Sequence, residues 1–379
     1  MKLKHIAAAA IAAATLPAAY AVDIQAGDWT VSVGGNINAF YTQSECKGGS
    51  LNGPASAVTG AAIGDAALAC GGKKSSTVVG NGLLPSYLSV GAKSKQGDYD
   101  VGAVVGIGVA AATNSAIAQN SEVDVRQAYL TFGNKDMGTV KLGRDYGTFG
   151  FLPIISDMTL LGVGAATRAT QNGRVSLGHI GAGYTYVGNY GQIVYSTPSL
   201  GGVGIDVGVF NPIDSGTLTA KNSPQLQARA SFGGQGFKAW VAGKTQKFDG
   251  PASFTMNAVE VGGSASLGAF GLVGNYQSGK GIGILSDGDQ GNVKGKNYLL
   301  QGTFQATDKI KLGLGNGRSR NETGTGSGVR TNESTTAGVY FGLTKSVTLV
   351  GEYAQTKSKA FNNNAGKQNS IAAGAIFFF

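Results

Sequence analysis

From Trp29 onward the chain alternates. Trp29, Val31, Val33, Gly35, Ile37, Ala39 and Tyr41 take the odd positions, while Thr30, Ser32, Gly34, Asn36 and Asn38 fill the even ones. Successive side chains of a strand point to opposite faces, so one face here is apolar and the other polar. The same period runs through Tyr99, Val101, Ala103, Val105, Ile107 and Val109, and again through Tyr298, Leu300, Gly302 and Phe304. It predicts strands near 28–41, 84–95, 99–111, 122–132, 138–146, 188–198, 203–210, 225–232, 237–247, 256–267, 270–278, 296–306, 309–318, 334–343, 346–356 and 369–379. Helical periodicity is absent after the N-terminal segment.

The connections alternate in length. Short turns fall at Gln96-Gly97-Asp98, Asn134-Lys135-Asp136, Ser199-Leu200-Gly201 and Thr307-Asp308. Long Gly-, Asn- and Ser-rich stretches occupy 43–83, 147–187, 211–224, 279–295, 319–333 and 357–368. Short turns at one rim and long loops at the other predict an all-β fold, a transmembrane antiparallel up-and-down β-barrel of about 16 strands. Such a sheet must close, because lipid offers no partner to an unpaired backbone N–H or C=O. Rings near the ends of apolar faces (Trp29, Tyr41, Tyr99, Tyr129, Tyr276, Tyr298, Tyr353) suit the two membrane interfaces. A soluble β-sandwich would also alternate, but with a charge-rich outer face and central aromatics.

Composition agrees. Only 13% of residues are charged and 42% are hydrophobic, with 63 glycines among 379 residues. That is too little charge to coat a soluble globule and too little apolar content for a helical membrane bundle. Lys2 and Lys4, the apolar run Ile6–Leu16 and the small-x-small Ala19-Tyr20-Ala21 read as a secretory signal peptide over residues 1–21. The barrel domain is then 22–379, and removing the leader lowers the net charge of +9 by its two lysines. The only cysteines, Cys46 and Cys70, suggest one loop-closing disulfide in an exported chain, with metal ligation as the weaker reading.

Charge then separates the faces. With outer parity set by Val, Ile, Leu and aromatic positions, Lys93, Arg126, Lys141, Arg229, Lys238, Lys244 and Lys311 fall on the inner face. Asp124, Asp206, Glu260 and Glu352 do too. A Lys or Arg on the lipid face at the bilayer midplane costs roughly 2–4 kcal/mol, so this segregation suits a water-filled, cation-rich lumen. Arg144 shares parity with Leu142 and needs a bulge or strand exit to reach it.

Two stretches carry a family resemblance. Val125-Arg126-Gln127-Ala128-Tyr129-Leu130, a short turn, and Gly138-Thr139-Val140-Lys141-Leu142-Gly143-Arg144 resemble the signature hairpin of Gram-negative general porins of the β-proteobacterial type. Gln192-Ile193-Val194-Tyr195-Ser196-Thr197-Pro198 before Gly201-Gly202 resembles the strand that follows their constriction loop, and the chain ends on Phe, as theirs do. The resemblance implies a homotrimer of sixteen-stranded barrels in the outer membrane, each narrowed by an inward-folded third loop, here about Gly147–Ala182. It makes Arg126, Lys141, Arg144, Asp157, Arg168 and Arg174 the constriction candidates, and Phe379 a signal for the outer-membrane assembly machinery. Family members set loop acids against basic residues of the wall. Asp157 is the only acid between Thr148 and Ala182 here, so a net positive constriction is expected.

Other chemistry finds little support. Gly274–Lys280 fits a phosphate loop until Gly281 replaces the required Ser or Thr, and Asp287-Gly288-Asp289 is too short for a calcium loop. His179 has no triad beside it, and the basic residues form no nucleic-acid patch. No cofactor, metal or catalytic residue is expected; the partners are membrane lipid, small ions and hydrophilic solutes. The leading expectation is passive diffusion with modest anion preference. A substrate-specific channel and a non-conducting structural or adhesive barrel are the alternatives.

Overall fold

The computed structural model describes residues 21–48, 74–111, 124–166, 176–215, 218–220, 223–249, 253–326 and 328–379. Its strands are β1 (Val22–Ala26), β2 (Trp29–Gly48), β3 (Ser75–Gly80), β4 (Ser86–Gln96), β5 (Tyr99–Val109), β6 (Asp124–Asn134) and β7 (Gly138–Tyr146). After one helix, α1 (Phe151–Ser156), come β8 (Asn189–Ser196), β9 (Val203–Phe210), β10 (Thr219–Ala220), β11 (Gln225–Gly234), β12 (Phe237–Asp249) and β13 (Phe254–Leu267). The last are β14 (Phe270–Lys280), β15 (Lys294–Gln305), β16 (Ile310–Asn321), β17 (Val329–Gly342), β18 (Val347–Ala360) and β19 (Ala365–Phe378).

Sixteen of them close into one antiparallel barrel, β2 pairing with β4 on one side and β19 on the other. At the seam the Phe379 N–H donates to Gly35 O (3.1 Å) and the Gly35 N–H donates to Phe379 O (2.9 Å). The three short strands lie against this ring. β1 and β3 pair with β2, and β10 pairs with β12.

The strands follow the alternation and then outrun it. β17, β18 and β19 extend past the apolar pattern, because polar residues above the hydrocarbon still pair through their backbones. On the outer wall Leu300, Val259 and Leu314 are each about 60% exposed, an apolar surface that calls for a lipid solvent. Stacked or tilted pairs such as Phe270–Phe304 (centroids 4.8 Å apart) mark the short-turn end of that belt.

The register is interrupted at Arg126, which is the extra residue between Gly106↔Gln127 and Ile107↔Val125. This bulge turns Arg126 and Gln127 to the same side and reverses the parity below them. Tyr129 was expected on the outer face. The bulge puts it inside, with Lys141 Nζ 5.5 Å from its ring centre.

Candidate functional site

The third long loop, L3 (147–188), leaves β7 and folds into the barrel. Inward polar side chains hold it at successive strands. Gln227 of β11 accepts hydrogen bonds from the Thr148 and Phe149 N–H groups (2.9 and 3.0 Å), and Gln301 of β15 accepts one from the Met158 N–H (3.1 Å). Glu352 of β18 takes both the Val163 and Gly164 N–H groups on Oε2 (2.7 Å each), while the Tyr340 hydroxyl donates to Oε1 (2.7 Å). On the returning limb Gln277 accepts from the Thr185 N–H (2.9 Å) and Asn332 donates to Gly181 O (2.7 Å). The approach is close enough to need glycine. A Cβ on Gly317 of β16 would lie 2.0 Å from Ala182 O.

Asp157 clasps the two limbs of L3 together. Its carboxylate accepts from the Thr159 N–H (2.9 Å), the Thr159 hydroxyl (2.8 Å) and the Tyr184 hydroxyl (2.7 Å), and lies 3.0 Å from His179 Nδ1. All four residues are buried. Burial opposes charge on both members of the pair, but their mutual attraction prevails. His179 is held above the ordinary histidine range, and Asp157, also bonded by Tyr184 and Thr159, below that of a carboxylate.

A second loop, L6 (281–293), also folds inward. Ile282, Ile284 and Leu285 are buried, and the Tyr186 N–H of L3 donates to Leu285 O (2.8 Å). Leu285 packs in one apolar cluster with Leu83, Leu160, Ile180, Tyr184 and Leu299. The Asp289 carboxylate shapes the loop by accepting from the N–H groups of Ile284 and Leu285 (2.8 Å each). Asp287 reaches across to the wall, where Lys244 of β12 donates to it and Gln225 of β11 does so at 3.1 Å. Lys244 Nζ also sits 4.4 Å from the Phe149 ring centre, so one lysine engages both inward loops.

The wall from β4 to β9 meets the inward loops at fewer points among the described residues, one of them Tyr190 of β8, whose hydroxyl donates to Asp287 of L6 (3.4 Å). Its ionic side chains line the remaining space in pairs: Arg126 with Asp124 (2.7 Å) on β6, Lys141 with Asp145 (2.5 Å) on β7, and Asp206 of β9 with Arg229 of the neighbouring β11 (2.6 Å). Gln127 donates to the second Asp145 oxygen (2.7 Å) and Arg126 faces the Tyr186 hydroxyl of L3 at 3.4 Å. The Arg126–Tyr186 approach brings this ionic wall against L3.

A family model described as Gram-negative porin matches residues 7–360. The chain belongs to the Gram-negative porins. Solved structures similar to this porin include the outer membrane channel DcaP of Acinetobacter baumannii, 16% identical over 94% of this chain and 99% of that one, with a TM-score of 0.68. An anion-selective porin from Comamonas acidovorans is also similar (16% identity, 93% and 100% covered, TM-score 0.66). So is OmpT of Vibrio cholerae in a trimer form (14%, 93% and 99%, TM-score 0.60). Direct comparison with curated protein sequences returns no match. The porin is an outer-membrane channel for passive diffusion, and family and fold point to a channel rather than an enzyme.

Within this porin several expected pore residues are placed otherwise. Arg144 stays in register with Ala128, so it lies on the outward row with Leu142 and Leu130 and is exposed on the outer wall. Asp157 points into the loop interior rather than at the pore. Lys244, Glu260 and Glu352 have inward parity but are capped. Lys244 and Glu352 are consumed by L6 and L3, and Glu260 is buried with Gln277 donating to it (2.7 Å). Lys93 sits at the short-turn rim, 4.0 Å from Asp23, and Lys311 lies over the Tyr340 ring. Cys46 is disulfide-bonded. Arg168, Arg174 and Cys70, like residues 1–20 of the expected leader, lie outside the described residues.

Sequence reading missed L6 as an inward loop, although a signal was present. A loop bathed in water has no use for Ile282, Ile284 and Leu285 among glycines, and those aliphatics mark a segment that packs.

Proposed function

We propose that this porin conducts small hydrophilic solutes with a modest preference for anions, through a slot whose fixed charges include Arg126, Lys141, Arg229 and Lys238. One observation carries this. Arg126, Lys141, Arg229 and Lys238 face inward there, whereas Asp157, the sole acid of L3, is buried and matched by His179. Each wall pair is close to neutral, so the surplus rests on Lys238 and on the L3 arginines Arg168 and Arg174. Low-dielectric walls focus such a surplus on the permeating ion. The similar anion-selective porin supports the sign. A reversal-potential measurement across a KCl gradient in planar bilayers tests it: an anion-selective sign is expected, and a cation-selective one overturns the charge reading.

A substrate-specific channel is the second reading. Tyr186 stands beside Arg126 and Tyr129 beside Lys141, a pairing of rings with cations that suits an organic anion. Saturable transport, or block by micromolar solute, would select it over free diffusion.

Assembly belongs to the same proposal. The mature chain starts near Val22 after removal of the leader, Phe379 serves the insertion machinery, and three copies associate. The trimer form of the similar OmpT supports the last point. So does Arg144: roughly 2–4 kcal/mol disfavours it against hydrocarbon, and a neighbouring barrel would relieve it.

A further inference from the structure

L3 meets the ionic wall with an apolar face. Its described ionisable groups Asp157 and His179 are both buried. Among the described residues of L3, those that keep part of their surface exposed are Ile154, Ile155, Ser156, Leu161, Leu177 and Tyr186, with one glycine. A loop whose exposed positions served only to meet water would carry polar side chains there, so this face is shaped for something less polar.

The apolar strip runs between two guanidinium groups of the wall. At one end the Arg229 guanidinium carbon lies 5.5 Å from the Phe151 ring centre, and at the other Arg126 Nη1 reaches the Tyr186 hydroxyl at 3.4 Å. Between them Ile154, Ile155 and Tyr186 pack in one cluster with Phe151 and with Tyr146 of β7. Leu177, and Leu84 from the connection between β3 and β4, carry the strip on past Ile154. The two arginines are not equally committed. Arg229 gives both Nε and Nη2 to Asp206 (3.0 and 2.6 Å). Arg126 gives only Nε to Asp124 (2.7 Å), which leaves its Nη fork without a carboxylate among the described residues.

We infer that this face selects an aryl-substituted monocarboxylate, its carboxylate on the Nη fork of Arg126 and its ring against Ile154, Ile155, Leu177 and Tyr186. The inference rests on the substrate-specific reading above and names the solute for it. The planar fork holds a carboxylate by two parallel hydrogen bonds, and the aliphatic strip removes ring surface from water. The Tyr186 ring adds an aromatic contact. The same layout disfavours other ions. Asp124 stands on the adjoining Nε, so a second carboxylate on the solute is repelled, and an ammonium group would face the fork itself. Acetate fits the fork but leaves the strip bare.

Bilayer recordings of the full mature protein test this with phenylacetate, acetate, 2-phenylacetamide and phenylmalonate as probes, each read as the concentration that halves the open current. Phenylacetate should act at a concentration at least tenfold lower than any of the other three. Circular dichroism of each variant confirms that the barrel is folded. Ile155→Asn and Leu177→Asn should each raise the phenylacetate value at least threefold and leave the acetate value within twofold. Arg126→Lys, which keeps the charge but loses the fork, should raise the phenylacetate value at least fivefold and leave 2-phenylacetamide where it was. Equal action by phenylacetate and acetate, or stronger action by phenylmalonate, would overturn the inference. So would phenylacetate block that survives both Ile155→Asn and Leu177→Asn. Saturable block by a sugar or a cationic solute, with none by phenylacetate, would sink the inference and keep the substrate-specific reading. Currents that no solute saturates would sink both.

Discussion

The barrel has a short half and a tall half. Strands β4 to β11 of the ring are 8–11 residues long, whereas β12 to β19 and β2 run from 11 to 20. The short half presents its ionic wall to the slot and carries Arg144 on its outer surface. The tall half is lined by L3 and L6. Height goes with what each wall holds. The tall strands supply inward polar side chains, among them Gln277, Asn332, Glu352 and Gln368, that fasten the loops, and Gln225 and Gln227 of β11 do the same at the boundary. Polar inward residues therefore have two jobs in one barrel: wetting a channel on one side and gripping a loop on the other.

Releasing a loop should disturb this contrast most. Asp157→Asn leaves His179 without its counter-charge in a buried clasp, a change of about 3–5 kcal/mol for a buried pair. The expected result is a noisier channel with several-fold larger conductance and a lower melting temperature, read by bilayer recording and circular dichroism. Glu352→Gln should act in the same direction on conductance, because the amide presents a weaker acceptor to Val163 and Gly164. Unchanged conductance in both would mean that L3 is not fixed by the tall wall.

Freeing L6 should do less. Lys244→Met strands Asp287 near Gln225, and conductance should rise by a factor of about two or less, with added flicker. The double variant Lys244→Met/Asp287→Asn removes both charges and should recover quiet openings. On the short half, Arg126→Gln or Arg229→Gln should move the KCl reversal potential toward cations by several millivolts while conductance changes little. The same substitution at Lys244 should shift it less, since that charge is covered.

The smallest effect concerns pH. His179 titrates above its ordinary range in the folded loop, so its share of stability is present at low pH and is lost as pH rises through the raised value. Asp157 titrates below its ordinary range, so its share is present above that range and is lost only in strong acid. The clasp should loosen as pH rises through the raised His179 value, and again as pH falls through the lowered Asp157 value. Current noise should grow with pH across the His179 value, and His179→Asn should abolish that dependence.

Much of the barrel was legible because lipid imposes a two-residue period that no tertiary contact can override. Trp29 to Tyr41 and Tyr298 to Phe304 show it directly. The strand ends on the tall half were not legible, since above the membrane nothing forces Lys357 or Asn332 to alternate with apolar neighbours. The bulge at Arg126 escaped for a related reason: one extra residue reverses the faces of Gln127 and Tyr129 without altering composition. Parity located inward charges but could not say which were capped. Whether Glu352 meets water or Val163 depends on a loop 188 or more residues away in sequence.

The division of the lumen is most directly tested by blocking it chemically from each side. With Cys46 tied in a disulfide, a single cysteine at Thr131 on the short wall or at Asn332 on the tall wall can be challenged with a charged thiol reagent during bilayer recording. Thr131→Cys should react promptly and reduce the current, while Asn332→Cys should stay unreactive beneath L3. Rapid block at Asn332→Cys with none at Thr131→Cys would show that ions travel along the other half, and the account would fail.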